Sequence, residues 1–317
     1  MAGYLVTGGA GFIGSHLVEY LQNRGENVRV LDNFSTGKME NIEPSMERID
    51  LIRGDVRDRK ACVEAVKGMD FILHQAAVCS VPRSIEDPMA TNETNIDGTL
   101  NLLIAAKEAR VKRFICASSS SVYGDSEVLP KVETMGPNPS SPYGVTKHVQ
   151  ESYCKVFYKI YGLETVCLRY FNVYGSKQDP YSPYSAVIPS FIRCLLLNES
   201  PTIYGDGEQT RDFTYVSDCI QANWKACHAH GIGGGVFNIA TGERISINQL
   251  YRELVNALGK EITPIYASPR DGDIKHSLAD ITMARGKMGY SPHFDIGVGL
   301  KKCLQWYRKF FWEKGSK

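Results

Sequence analysis

The 317-residue chain carries almost no excess charge: 36 Lys and Arg stand against 35 Asp and Glu, a formal net charge of +1. No global field draws it to nucleic acid or to an anionic membrane, so an anionic ligand needs a local site. Long apolar runs are missing too; a membrane-spanning helix takes about 18 such residues. The first apolar stretch, YLVTG from Tyr4, is far too short for the core of a signal peptide. A cytoplasmic protein is expected. The nine cysteines include no CxxC pair, and Cys227, His228 and His230 sit together in CHAHGIGGG without a second ligand pair at zinc-like spacing. No metal is expected. Thiols scattered through apolar stretches pack as small hydrophobes and suit a reducing compartment. Repeats and low-complexity segments are also lacking. What remains, 43% hydrophobic and 22% charged, is an ordinary soluble composition.

Short β-branched runs alternate with helical stretches: YLVTG, a segment to Arg24, NVRVLDN, IDLIRGD, a helix from Asp58 to Lys67, then DFILHQAA. The alternation continues with a helix over Thr94 to Ala109, the strand RFICASSSS, a helix over Tyr143 to Tyr161 and the strand ETVCLRYFNVYG. This pattern predicts an α/β fold with a doubly wound parallel sheet covered on both faces. After Gly175 the chain turns to loops rich in Pro, Tyr and Gly between shorter helices, which predicts a smaller α+β region over 176–317 beside a first domain over 1–175. GVFNIATG reads as one more buried strand, returning the chain to the first sheet near 235–241. The ending, GLKKCLQWYRKFFWEKGSK, reads as an amphipathic helix with a solvated basic tail.

TGGAGFIGSH places Gly8, Gly11 and Gly14 between the first strand and the first helix. Glycine is required where backbone turns sharply and where amides, here including those of Phe12 and Ile13, must approach a pyrophosphate at the positive end of a helix. Asp32 ends the second strand 18 residues after Gly14, so a dinucleotide site is expected. A carboxylate there accepts hydrogen bonds from the adenosine ribose diol and repels a 2′-phosphate, which favours NAD over NADP. Asn33 follows it, and Lys38 is the one nearby cation that could argue otherwise. Asp55 and Val56, after the third strand, are candidate adenine contacts, and a solvated acidic turn explains them equally well.

NPSSPYGVTK, residues 138 to 147, predicts a helix capped by Ser141 with Pro142 at its first position. A cation near a helix N-terminus opposes the helix dipole by about 0.3–1 kcal/mol, so Lys147 is expected to serve something other than the helix. Together with the glycine spacing, the HQAA strand end with Ala76 and Ala77, the NxxG of Asn95 and Gly98, and ASSSSVYGD, this segment resembles the extended short-chain dehydrogenase/reductase family, with its Rossmann fold, nearly end to end. The resemblance implies that Tyr143 transfers the proton and that Lys147 is its electrostatic partner on bound NAD. Lowering a phenol from about pH 10 to about 7 takes roughly 4 kcal/mol, which an ammonium at about 4 Å supplies at an effective dielectric of about 20. The positive nicotinamide ring adds to it. The same resemblance makes Ser119 the hydrogen-bond donor to the reacting oxygen, with Ser120 as the alternative.

Members of the family that dehydrate nucleotide sugars place an acidic residue in the Ser-rich segment; this chain has only serines there. Without such a general acid, elimination forgoes a factor of about 10²–10⁴, which favours 4-epimerisation. By resemblance, Asn172 of RYFN contacts the diphosphate or sugar, Arg211 of TRDF the diphosphate, and Arg270 and Asp273 of SPRDGD the phosphate and ribose; Ser80 joins them on the sugar. Arginine suits this duty because its fork binds phosphate in two places. In UDP-hexose 4-epimerases a tyrosine at the position of Ser277 crowds out a 2-acetamido group. The small Ser277 therefore implies a UDP-N-acetylglucosamine 4-epimerase, with UDP-glucose and UDP-galactose as further substrates and a UDP-glucuronate 4-epimerase as the rival. A catalytically silent NAD-binding sensor is the rival from another class, and such proteins commonly lose the Tyr-Lys pair. Relatives form homodimers through the helix bearing Tyr143 and the preceding long one.

Overall fold

The computed structural model of the chain describes residues 1–182, 185–260, 262–269 and 274–315. Strands β1 (Gly3–Thr7), β2 (Asn27–Asp32), β3 (Ile49–Arg53), β4 (Phe71–His74), β5 (Arg113–Ser119) and β6 (Thr165–Tyr170) alternate with helices α1 (Phe12–Asn23), α2 (Arg59–Val66), α3 (Val81–Glu86), α4 (Pro88–Asn92), α5 (Gly98–Glu108) and α6 (Pro142–Tyr161). Every residue of β1, β4 and β6 is buried, as strands covered by helices on both faces must be. Later come β7 (Val173–Tyr174), α7 (Val187–Leu196), β8 (Thr202–Tyr204), β9 (Thr210–Arg211), β10 (Thr214–Tyr215), α8 (Val216–His228), β11 (Gly235–Ile239), β12 (Ile245–Ser246), α9 (Ile247–Leu258), β13 (Ile265–Ala267), α10 (Thr282–Met288) and α11 (Ile296–Gly315).

The central sheet has seven parallel strands in the order β11-β6-β5-β4-β1-β2-β3. One face buries Cys62, Leu102, Leu103 and Phe157 of α2, α5 and α6. The other buries Leu17 and Leu21 of α1 with Ile220 of α8, and that cluster continues to Leu254 and Tyr307. The later third of the chain thus packs onto the second face. Strand order reverses at β1, whose neighbours are β2 and β4, and in such sheets the crevice beyond the strand ends at this switch point takes the ligand.

One helix departs from its sequence pattern. The helical path begins at Pro88, with Asp87 capping the Ala90 amide, and passes through a π turn over Glu93–Asp97 before α5. Within that turn Asn95 points inward: its amide bonds both the N–H and the carbonyl of Val78 and the Thr146 hydroxyl. It ties the β4 exit to α6, beside Lys147. The short strands of the later third pair in twos, β7 with β10, β8 with β13 and β9 with β12. No helix among the described residues is long and apolar enough to cross a membrane.

Candidate active site

The crevice opens at the exits of β1 and β4. Gly8 has a positive φ of 66°, and a Cβ there would lie 2.9 Å from the backbone of Ala76. A Cβ on Gly14 would lie 2.1 Å from the Gly8 carbonyl oxygen, so α1 can start this close to β1 only without a side chain. At Gly11 a Cβ would meet only that oxygen, at 3.1 Å, which leaves its outer side open. Gly11 immediately precedes α1 and no side chain caps the helix, so Phe12 and Ile13 lie at a positive terminus free of a side-chain cap. These features fit a pyrophosphate. Gly14→Ala is expected to cost about 1–3 kcal/mol of stability through overpacking, with NAD absent from the purified protein; thermal melts and cofactor content check this, and a variant that keeps its NAD and its Tm contradicts it.

Asp32 is buried at 7% exposure; its oxygens accept from the Ala10 and Phe34 amides, both at 2.8 Å, and burial raises its carboxyl above the usual range. Each oxygen keeps a lone pair for a ribose hydroxyl. Lys38 is committed elsewhere, to Asp179 at 2.7 Å, so it does not offset the carboxylate. Asn33 donates to Asp55 at 2.8 Å, and the Arg57 guanidinium, hydrogen-bonded to Asp55, draws that carboxyl down to about 2. Asp55 walls a groove of about 530 Å³ shared with Arg57, Asp58, Glu93 and Asp97. The Val56 side chain is buried, with Gly98 so near that a Cβ there would lie 2.6 Å from it, and the Val56 carbonyl accepts from Asn101 at 3.1 Å. Ala76 donates its amide to Thr7, and Ala77 follows it, half-buried.

Tyr143 and Lys147 stand on the first turns of α6. Ser141 accepts the Gly144 amide at 3.1 Å as the cap, and Ser84 accepts the Tyr143 amide at 3.1 Å. Lys147 is 3% exposed and Tyr143 9%. The ammonium donates to the Ala117 carbonyl at 2.7 Å and stands 5.7 Å from the centre of the Tyr143 ring. It thus serves the β5 exit rather than the helix end. Burial pushes the Tyr143 phenol well above the usual range, with the nearby Ser119 hydroxyl acting in the opposite direction, and burial lowers the Lys147 ammonium. In the ligand-free protein the desolvation of both charged forms is the larger effect. Ser119 also accepts the Ser121 amide at 3.1 Å, while Ser120 begins the following 3₁₀ turn half-buried.

On the opposite side, Asn172 adopts φ 35° and donates to the Asp212 carbonyl at 2.9 Å, which brings it beside Arg211. Arg211 donates to the carbonyls of Thr210 and Lys275 at 3.0 and 3.4 Å. Ser277, 8% exposed, donates its amide to the Thr210 carbonyl at 3.0 Å, so Arg211 and Ser277 belong to one small assembly. Ser80 caps α3 by accepting the Arg83 amide at 3.2 Å. Arg270 and Asp273 lie outside the described residues. Sequence reasoning missed Asp212, which is fully buried and accepts from the amides of Thr241, Gly242 and Ala279 and from the Thr241 hydroxyl. It joins the TRDF turn, the β11 exit and the HSLAD segment. Its neighbour Arg211 drew attention; nothing local marked the acid.

A glycine-cradled helix start, a buried acid ending β2 and a Tyr-x-x-x-Lys pair at the β5 exit define an NAD-binding enzyme of the short-chain dehydrogenase/reductase type. Residues 4–240 match the model of the NAD dependent epimerase/dehydratase family, and the chain belongs to that family. Its cofactor is NAD. Among solved structures it is similar to a UDP-N-acetylglucosamine 4-epimerase from Methanobrevibacter ruminantium M1 in complex with UDP-N-acetylmuramic acid, at 42% identity and TM-score 0.94, covering 98% of this chain and 99% of that one. A UDP-glucose 4-epimerase with UDP-glucose from Thermotoga maritima matches at 38% identity and TM-score 0.93, with coverage of 98% and 99%. A UDP-glucuronic acid 4-epimerase from Bacillus cereus in complex with UDP-glucuronic acid and NAD matches at 36% and TM-score 0.90, with coverage of 97% and 99%.

Proposed function

We propose that the protein is a UDP-sugar 4-epimerase whose main reaction interconverts UDP-N-acetylglucosamine and UDP-N-acetylgalactosamine. Ser277 carries the choice of sugar: it is a small side chain, almost buried, in the assembly that holds Arg211. The 42% identical neighbour, itself a UDP-N-acetylglucosamine 4-epimerase, supports the reading. Bound NAD supplies a hydride acceptor that later returns the hydride. Tyr143 removes the C4 hydroxyl proton and gives it back after the ketone has turned over, and Ser119 hydrogen-bonds the same oxygen. Lys147 holds positive charge beneath the phenol and anchors α6 to β5 through Ala117. Arg211, Asn172 and Arg270 grip the diphosphate, Asp273 holds the ribose, and Ser80 and Ser277 border the sugar. A fixed diphosphate beside a sugar free to rotate is what presentation of either face requires.

The test is to incubate purified protein with each of UDP-N-acetylglucosamine, UDP-glucose and UDP-glucuronate, without added NAD, and to follow the C4 isomer. Conversion of the N-acetyl sugar is expected, with Ser277→Tyr reducing it at least tenfold relative to UDP-glucose; turnover of UDP-glucuronate alone overturns the proposed sugar. A homodimer across α6 is part of the same reading: Val145, Val156 and Ile160 leave 46, 42 and 68% of their surfaces exposed at a spacing that shares one helix face. All nine cysteines are free, which supports a reducing compartment.

A further inference from the structure

Eight of the nine thiols are buried, and three of them converge. Cys116 on β5 and Cys167 on β6 lie opposite each other in register on adjacent parallel strands, and Cys154 comes down onto that face from α6. Their exposures are 0, 1 and 1%, and their sulfur atoms all lie within 4.8 Å of one another. The proposed chemistry gives them no role. Three sulfurs about 4 Å apart surround a central atom at a metal–sulfur distance of about 2.3 Å.

The ligand set selects the guest. No fourth His, Cys, Asp or Glu joins the cluster among the described residues. His74, paired with Cys116 across β4 and β5, has both ring nitrogens committed, to Thr7 at 2.8 Å and Thr99 at 2.9 Å. Tetrahedral zinc therefore lacks a ligand. Charge decides among three-coordinate guests: three thiolates leave two negative charges around a monovalent ion, one around a divalent ion and none around a trivalent centre. A neutral complex is the one a dry interior admits at least cost.

We propose that Cys116, Cys154 and Cys167 form a buried site for a trivalent thiophilic metalloid, taken up as a neutral tris-thiolate. With arsenous acid the reaction balances without an oxidant or reductant. Three S–H and three As–O bonds break, three As–S and three O–H bonds form, three waters leave, and arsenic stays trivalent. Entry waits on local opening, so binding is slow. It also reaches the active site, because Ala117, next to Cys116, holds the Lys147 ammonium, and Cys154 lies two turns beyond Lys147 on α6. Drawing the sulfurs together shifts the strand and helix that position Lys147. The inference does not depend on which sugar is the substrate.

The test treats the NAD-loaded full chain with sodium arsenite and weighs it by native mass spectrometry. One arsenic per chain with loss of three hydrogens is expected, with activity falling in step. Cys154→Ala and Cys167→Val should each weaken binding at least 100-fold while retaining secondary structure, and Cys79→Ser, which alters the exposed thiol, should leave arsenic binding unchanged. X-ray absorption on the wild-type complex should give three sulfur neighbours and no oxygen, a reading that needs no variant. Arsenic bound through one or two sulfurs, binding lost with Cys79→Ser, or no arsenic bound at saturation overturns the proposal.

Discussion

Tyr143→Phe is expected to lower kcat by about 10²–10⁴-fold, the usual worth of a positioned acid–base group, with NAD still bound and the fold intact. The pH profile should show why. Burial holds the Tyr143 phenol well above the usual tyrosine range in the ligand-free protein, so at neutral pH it is protonated there. A base acts from its deprotonated form, so kcat/KM should rise with pH through the phenol's titration in the cofactor-loaded enzyme. Lys147→Ala removes a positive charge that stands 5.7 Å from the ring centre, and should move that rise to higher pH. A Tyr143→Phe enzyme at the wild-type rate, or a rise that Lys147→Ala leaves in place, removes Tyr143 from the proposed role.

The second large effect is on stability and lies one layer below. Glu151 and Arg169, both 5% exposed, form a two-pronged pair at 2.8 and 2.7 Å, and Ser118 donates to the same carboxylate at 2.5 Å. Arg169 also stacks on Tyr123, 4.6 Å from its ring centre, and Tyr123 donates to Asn238 of β11 at 2.6 Å. Glu151→Ala leaves a buried guanidinium without its counter-charge and is expected to cost about 3–5 kcal/mol. The double variant Glu151→Leu, Arg169→Met should recover most of that, because a matched apolar pair buries no charge. Activity should suffer with stability in the single variant, since Glu151 stands one turn from Lys147 and Ser118 adjoins Ser119. Chemical denaturation measures both; a loss under about 1 kcal/mol for Glu151→Ala contradicts the importance given to the pair.

Those two residues also show where sequence reading stops. Gly8, Gly11, Gly14 and Asp32 were legible because their roles depend on spacing along one strand, turn and helix. The placement of Tyr143 and Lys147 on α6 was legible because Ser141 and Pro142 mark the helix start, and a cation near a helix N-terminus is out of place unless something else needs it. Glu151 and Arg169 meet through the docking of α6 on β6, and Cys116, Cys154 and Cys167 through strand register together with that same docking. No linear pattern encodes such contacts. Asp212 is similar, since its four donors come from Thr241, Gly242 and Ala279, whose positions depend on the β11 exit. The π turn before α5 escaped because Asn95 satisfies backbone groups of Val78, and helix periodicity is silent about such a partner. Two-residue strands such as β9 and β12 are too short to show a period at all.

Coulomb attraction between Tyr143 and Lys147 competes with the desolvation of each, and in the ligand-free protein the near-burial of both side chains makes desolvation the larger effect. In the proposed mechanism the positive ring of bound NAD would supply the remaining charge.

The most direct test of the account follows the hydrogen at C4. With UDP-N-acetylglucosamine carrying deuterium at that carbon, in ordinary water, the account predicts UDP-N-acetylgalactosamine that retains the deuterium at C4, because the hydrogen leaves and returns as hydride inside a closed site. Product with the label exchanged for solvent hydrogen would show a proton-abstraction route instead, and would contradict it.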